Sequence, residues 1–311
     1  MRTMLALRRT AAVTTLLLAV LPLCGEPAAA QTTTTGSGAH VKPDQQVILV
    51  TGSTDGLGRE VARRLAAGGA HVIVHGRSAE RGRALVAEIE AAGAGSARFI
   101  AADLASLDAV RTLAETILSE YERLDVLVNN AGIWLNRSNE RQLSADGHEL
   151  HFAVNYLAGY ALTRLLLPRL IESAPARIIN VASGAQRPIE FDDPMLENGY
   201  SGGRAYAQSK LAQVLFTVDL ARELEGSGVT VAALHPATLM DTPMVREAGV
   251  AARSTIDEGA DAVMHLITGT DITSGGYYDG LRPGRAHAQA YDPEAHAMLR
   301  RLSRQLTGVR R

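Results

Sequence analysis

Short apolar runs alternating with longer amphipathic stretches constrain this chain more than any other feature of it. The runs are residues 47–50, 72–74, 98–101, 126–128, 178–181 and 229–234, and the stretches between them are 57–67, 79–91, 107–121, 147–171 and 205–224. Runs this short read as strands buried on both faces, whereas the stretches carry apolar residues at helical spacing. Their alternation predicts an α/β fold with a parallel sheet and helices on both faces. Gly275-Gly276-Tyr277-Tyr278 would add a last short strand and residues 293–306 a closing helix. One domain is expected over 45–311, without internal repeats, and a hydrophobic share of 46% is ample for its core.

In such a sheet, ligands bind beyond the carboxyl ends of the strands. Thr51-Gly52-Ser53-Thr54-Asp55-Gly56-Leu57-Gly58 follows the first run and opens the first helical stretch, the context that a dinucleotide turn requires. Glycines permit the tight turn and close approach of a pyrophosphate, whose charge the helix N-terminus attracts. Gly52, Ser53, Thr54, Gly56, Leu57 and Gly58 are therefore candidate cofactor contacts. Arg77 ends the second run, where a chain preferring NAD would place an acidic residue against the ribose hydroxyls. It would instead hold a 2′-phosphate by charge-assisted hydrogen bonds, which favours NADP(H) and leaves NAD(H) as the alternative. Asp103 and Leu104 follow the third run, with Asp103 either binding the adenine edge or capping the next turn. After the fourth run, Asn130, Ala131 and Gly132 would let ribose and nicotinamide lie against exposed main chain.

Tyr206 and Lys210 are four residues apart, so on a helix both side chains leave one face. A free tyrosine titrates near ~10, and a neighbouring ammonium would favour its phenolate, as a proton donor or acceptor requires. Ser183 ends the fifth run, where its hydroxyl could bond a substrate oxygen as charge gathers there. Asn155 lies inside a helical stretch, an unfavourable place for it unless its amide has a task, whether in the site or in bending the helix. No Gly-x-Ser-x-Gly surrounds Ser183, which argues against a hydrolase, and no histidines stand at metal-ligand spacing, so no metal site is expected. His235 in His235-Pro236-Ala237-Thr238 reads as a packed loop residue.

Taken in order, the glycine turn, Asn129-Asn130-Ala131-Gly132, Asn155, Ser183 and Tyr206-x-x-x-Lys210 resemble the short-chain dehydrogenase/reductase family, from Gln45 to Val309. Phe191-Asp192-Asp193, Tyr206 to Ala212 and Gly276-Tyr277-Tyr278 are similar to its retinol-dehydrogenase-like and WW-domain-oxidoreductase-like branch. The resemblance implies a single Rossmann-type, doubly wound sheet and hydride transfer between an alcohol and an aldehyde or ketone. It implies that Tyr206 exchanges a proton with the substrate oxygen, Lys210 lowers the tyrosine pKa and binds the nicotinamide ribose, Ser183 steadies the substrate oxygen, and Asn155 positions a water near Lys210. Where the family usually has Pro-Gly, this chain has Pro236-Ala237, and either Thr238 or Thr242 would hold the carboxamide. Residues 239–254 fall where the family has a mobile lid. Met240 and Met244 there suggest an adaptable apolar wall, with Trp134, Phe191 and Met195 as further pocket candidates, so the expected substrate is moderately apolar. The helices at 147–171 and 205–224 resemble the family's usual dimer surface, which makes a homodimer a candidate assembly. A silent NADP-binding sensor, the alternative function, would be expected to have lost Ser183, Tyr206 or Lys210.

A formal charge of −2 with no basic stripe argues against nucleic acid as a partner. Arg2, Arg8 and Arg9 precede an apolar run at 11–23, and Ala28-Ala29-Ala30 offers a cleavage site, so residues 1–30 read as a secretion signal and 31–44 as a spacer. The run is shorter than the ~20 residues a membrane span needs, so no stable span is expected. Arg8-Arg9 points to twin-arginine export of a folded enzyme to the periplasm or beyond. A start codon assigned too early, leaving a cytoplasmic enzyme that begins near Val41, is the alternative. Cys24, the only cysteine, would be lost on cleavage unless it carries a lipid, which excludes thiol catalysis.

Overall fold

The computed structural model describes residues 41–42, 44–135 and 140–309, all within one compact unit. The signal and spacer expected over 1–40 lie outside the described residues. Val41 packs against the core, and Lys42 donates its N–H to Gln45 Oε1 at 3.0 Å.

Seven strands run parallel. They are β1 (Val47–Val50), β2 (His71–Gly76), β3 (Ser96–Ala101), β4 (Val126–Asn129), β5 (Ala176–Val181), β6 (Val229–His235) and β7 (Tyr277–Asp279), with β8 (Arg282–Gly284) antiparallel at the edge. Their order across the sheet is β3-β2-β1-β4-β5-β6-β7-β8. Alternate residues of β1 enter different cores, Val47 and Leu49 on one face, Ile48 and Val50 on the other, as the two-residue period of a strand dictates. The first face is covered by α3 (Leu107–Glu120), α4 (Ala158–Glu172), α5 (Gly202–Glu223) and α8 (Pro293–Thr307); the second by α1 (Gly56–Ala67), α2 (Ala79–Ala92) and α7 (Ile256–Thr268). This is the doubly wound, Rossmann-type sheet that the sequence implies.

The chain leaves β1 toward β2 and β3, then returns to lay β4 on the other side of β1. Connections therefore diverge at the carboxyl ends of β1 and β4, which opens the crevice where such sheets take ligands.

Several elements depart from the sequence expectation, among them strand β8 and the short helix α6 (Pro243–Glu247). Helix α7 was not anticipated, although a capping box joins Thr255 and Glu258 at its start. The long helix expected over 147–171 has a π-helical turn at Phe152–Leu157 before α4 continues. Helix α8 lies across α5: Tyr156 Oη and Ser303 Oγ meet at 2.6 Å, and Arg300 grips Asp219. Most of α5 is thereby buried within one chain. Among the described residues no helix is long and apolar enough to cross a membrane.

Candidate active site

Beyond β1 the chain turns at Gly52 (φ +64°) and Gly56 (φ +52°), conformations that residues with side chains rarely adopt. A Cβ on Gly52 would stand 2.9 Å from Ala131 Cα, and one on Gly58 would overlap the Gly52 carbonyl and the Asn130 amide. The turn is held from behind. Ser53 is wholly buried, donating to Val50 O at 2.7 Å and accepting from His75 N at 2.9 Å. His75 Nδ1 accepts from Gly52 N at 3.1 Å, and burial lowers its pKa to about 4, which keeps the ring neutral for that task. Asn130 Nδ2 donates to the carbonyls of Thr51 (2.8 Å) and Gly52 (3.2 Å). Thr54 packs on Gly76, where a Cβ would meet its Oγ1 at 2.6 Å. Ser53, Thr54 and Asn130 thus shape the turn, and the buried Leu57 roots α1 in the core beneath it.

Asp55 caps α1 through Gly56 N at 2.7 Å, and its other oxygen meets Arg81 Nη1 at 2.9 Å. Arg77 is exposed just past β2, two residues before α2 begins. Asp103 Oδ1 accepts from Ala105 N at 3.0 Å, the capping alternative, and Leu104 is buried. Pro236 is buried; Thr238 is exposed and bonded to His235 Nε2 at 3.0 Å. Thr242, by contrast, stands against the turn, its Cγ2 3.3 Å from where a Gly56 Cβ would be. Positive-φ glycines, bare main chain and a helix N-terminus fit the pyrophosphate of a dinucleotide.

The catalytic candidates converge at the carboxyl ends of β4 and β5. Lys210 Nζ is buried, donating to Val181 O and Gln213 Oε1, both at 2.9 Å, and lies 5.7 Å from the centre of the Tyr206 ring. A Cβ on Gly132 would stand 3.2 Å from Asn155 Oδ1 and 3.4 Å from Lys210 Nζ, so a glycine here lets the main chain lie close to both groups. Asn155 sits in the π turn. Its Oδ1 accepts from Ile133 N at 2.7 Å, and its Nδ2 donates to Ser209 Oγ at 2.9 Å and Ile133 O at 3.2 Å. The widened turn gives that amide partners which an α-helix interior would deny it. Ser183 is mostly buried, its Oγ accepting from Ala185 N at 3.1 Å and its carbonyl held by Tyr277 Oη.

The electrostatics differ from the simple sequence reading. Burial raises the Tyr206 pKa above its usual value, with the Ser183 hydroxyl working in the opposite direction, and burial lowers Lys210 to about 7. Desolvation thus works against the lysine's charge, while Val181 O and Gln213 Oε1 accept from its ammonium. The pocket candidates also separate. Trp134 lies beside Tyr206, ring centres 5.7 Å apart, whereas Met240 turns its sulfur to Gly259, and Phe191 and Met195 pack on the core. His75, Arg81 and Gln213 are contributors that sequence reasoning missed. Among the described residues no cluster of three or more His, Cys, Asp or Glu is placed to hold a metal.

Residues 46–252 match the family model described as short chain dehydrogenase. Retinol dehydrogenase 12 of Homo sapiens is 36% identical over 285 residues, 87% of this chain and 89% of that protein. An uncharacterised protein from Mycobacterium paratuberculosis superposes with a TM-score of 0.72 at 31% identity, over 88% of this chain and 97% of that one. The Pseudomonas aeruginosa RhlG/NADP active-site complex gives 0.61 at 29% identity, covering 75% of this chain and 94% of its own. With its sheet order, glycine turn and the Tyr206–Lys210 pair, this chain belongs to the short-chain dehydrogenase/reductase family, oxidoreductases that act on CH–OH groups with NAD(P), on its retinol-dehydrogenase-like branch.

Proposed function

We propose that the chain interconverts an alcohol and an aldehyde or ketone with NADP(H), using Tyr206 as the proton donor and acceptor. The observation that carries the reading is that Asn155 and Lys210 meet at Gly132, with Tyr206 beside Lys210 and within hydrogen-bonding reach of Ser183, at the crevice that the glycine turn enters. Gly52, Gly56 and Gly58 with the α1 N-terminus would hold the pyrophosphate, Arg77 a 2′-phosphate, and Ala131, Gly132 and Thr242 the nicotinamide end. When bound, the nicotinamide supplies or accepts the hydride.

In reduction, Tyr206 donates its phenolic proton to the substrate oxygen as negative charge develops there, and Ser183 Oγ hydrogen-bonds the same oxygen. A phenol whose pKa is raised by burial is held protonated for that step. Lys210 stands close enough to favour the phenolate that remains, and to do so it must carry its charge; Val181 O and Gln213 Oε1 stabilise that charged form. Asn155 ties the loop at Ile133 to Ser209 on α5 and so fixes the spacing of the two halves of the site.

The test is oxidation of NADPH and NADH by the purified protein against a panel of aldehydes and ketones, with Tyr206→Phe as control. NADPH-dependent turnover that Tyr206→Phe lowers at least a thousandfold is expected, with Arg77→Ala narrowing the preference for NADPH. Turnover that survives in Tyr206→Phe would refute the assignment.

A further inference from the structure

The proton chemistry above leaves a buried pair, Glu149 and His151, without a task. His151 Nδ1 lies 2.8 Å from Glu149 Oε1, and that carboxylate also accepts from the backbone N–H groups of His151 (3.0 Å) and Phe152 (2.7 Å). Nε2 accepts from Leu135 N–H at 3.0 Å, so the ring proton is on Nδ1, which donates to Glu149. Four residues on, Asn155 bonds Ile133 through both its amide oxygen and its amide nitrogen. The residues on either side of Trp134 are therefore fixed by hydrogen bonds from a single helix.

What this clamp holds is the only tryptophan of the chain, half-buried, its ring 5.7 Å from that of Tyr206 and tilted 38° to it. An aromatic ring pinned beside the proton donor presents a flat surface next to the point where the substrate oxygen would be protonated. Because Ile133 and Leu135 are already held, placing a ligand against the ring between them costs little further freedom of the protein. We propose that Trp134 is a specificity-determining platform that stacks a planar aromatic group of the substrate, so that aryl aldehydes and aryl ketones are preferred over saturated analogues of equal size. This rests on the oxidoreductase reading and names the substrate class for the same site. A saturated ring covers a similar area but lacks the ring quadrupole that adds roughly two- to tenfold to an aromatic contact.

Benzaldehyde and cyclohexanecarbaldehyde have the same number of carbons and test this directly. The ratio of their kcat/KM values with NADPH, compared between wild type and Trp134→Leu, cancels the difference in intrinsic reactivity. The ratio falls about two- to tenfold in Trp134→Leu and is largely kept in Trp134→Phe. A ratio unchanged within twofold in Trp134→Leu overturns the platform and leaves the oxidoreductase reading intact. Intrinsic tryptophan emission gives a second readout that needs no turnover, since Trp134 is its sole source. A saturable change on titrating wild type with benzyl alcohol, and none with cyclohexylmethanol, supports the platform even where neither aldehyde is turned over, an outcome that would count against the oxidoreductase reading alone. Equal responses to both alcohols overturn it.

Discussion

Lys210 is held in the fold at a cost that depends on pH, and replacing it by methionine should expose that cost. Burial lowers its pKa from 10.5 to about 7, so below pH 7 the lysine is charged in both folded and unfolded chains and the full desolvation cost applies. Between pH 7 and 10.5 the unfolded chain binds more protons than the folded one, so stability rises with pH and the cost fades. The shift corresponds to about 4 kcal/mol at pH 7 and about 1 kcal/mol at pH 10. Val181 O and Gln213 Oε1 favour the ammonium, which reduces the difference to about 2–3 kcal/mol. Lys210→Met also strands those two acceptors, but by the same amount at both pH values. The stability of the variant relative to wild type should therefore fall by about 2–3 kcal/mol from pH 7 to pH 10, or roughly 4–10 °C in melting temperature. Thermal denaturation of both proteins at both pH values measures it. A difference between variant and wild type that is independent of pH, or that shifts in the variant's favour from pH 7 to pH 10, would refute the claim that burial governs this lysine.

Gly58→Ala should cost about 3 kcal/mol in chemical denaturation and weaken NADPH binding more than tenfold, because its Cβ would overlap the Gly52 carbonyl and the Asn130 amide that braces the turn. Ser303→Ala should destabilise by about 1–3 kcal/mol by leaving the buried Tyr156 hydroxyl without a partner. Tyr156→Phe should cost only about 0.5–1.5 kcal/mol, since Ser303 keeps its bond to Leu299 O; equal losses in the two melts would argue against that asymmetry.

Strands β1 to β6 were legible in the sequence because buried parallel strands are short apolar runs whose period needs no tertiary knowledge. The catalytic candidates were legible because Tyr206 and Lys210 meet through helical spacing alone. What escaped depends on partners remote in sequence. His75 braces Gly52, and Asn130 braces Thr51, across neighbouring strands, and neither contact has a local signature. Strand β8 is three exposed residues, Arg282–Gly284, without an apolar pattern. Helix α7 is different in kind: Thr255 and Glu258 spell out its start, and Ala260, Val263 and Ile267 its buried face, a local pattern that follows directly on the segment with the lid-like composition. The raised pKa of Tyr206 could not be inferred from spacing, since it reflects how much water the finished fold excludes.

The sheet order also bears on the sequence of events by which the site comes into being. Pairing β1 with β2 joins residues such as Val47 and His71, and β2 with β3 His71 and Ser96, whereas β1 meets β4 only through pairs such as Ile48 and Val126. Closing the longer loop costs more chain entropy, so the β1–β3 unit is the faster to assemble. Its glycine turn nevertheless lacks the Asn130 brace until β4 docks, and Tyr206 and Lys210 take their places only when α5 packs over β5 and β6. A refolding chain should therefore regain cofactor affinity when β4 docks and catalytic competence only afterwards, with the packing of α5 as the event that separates the two.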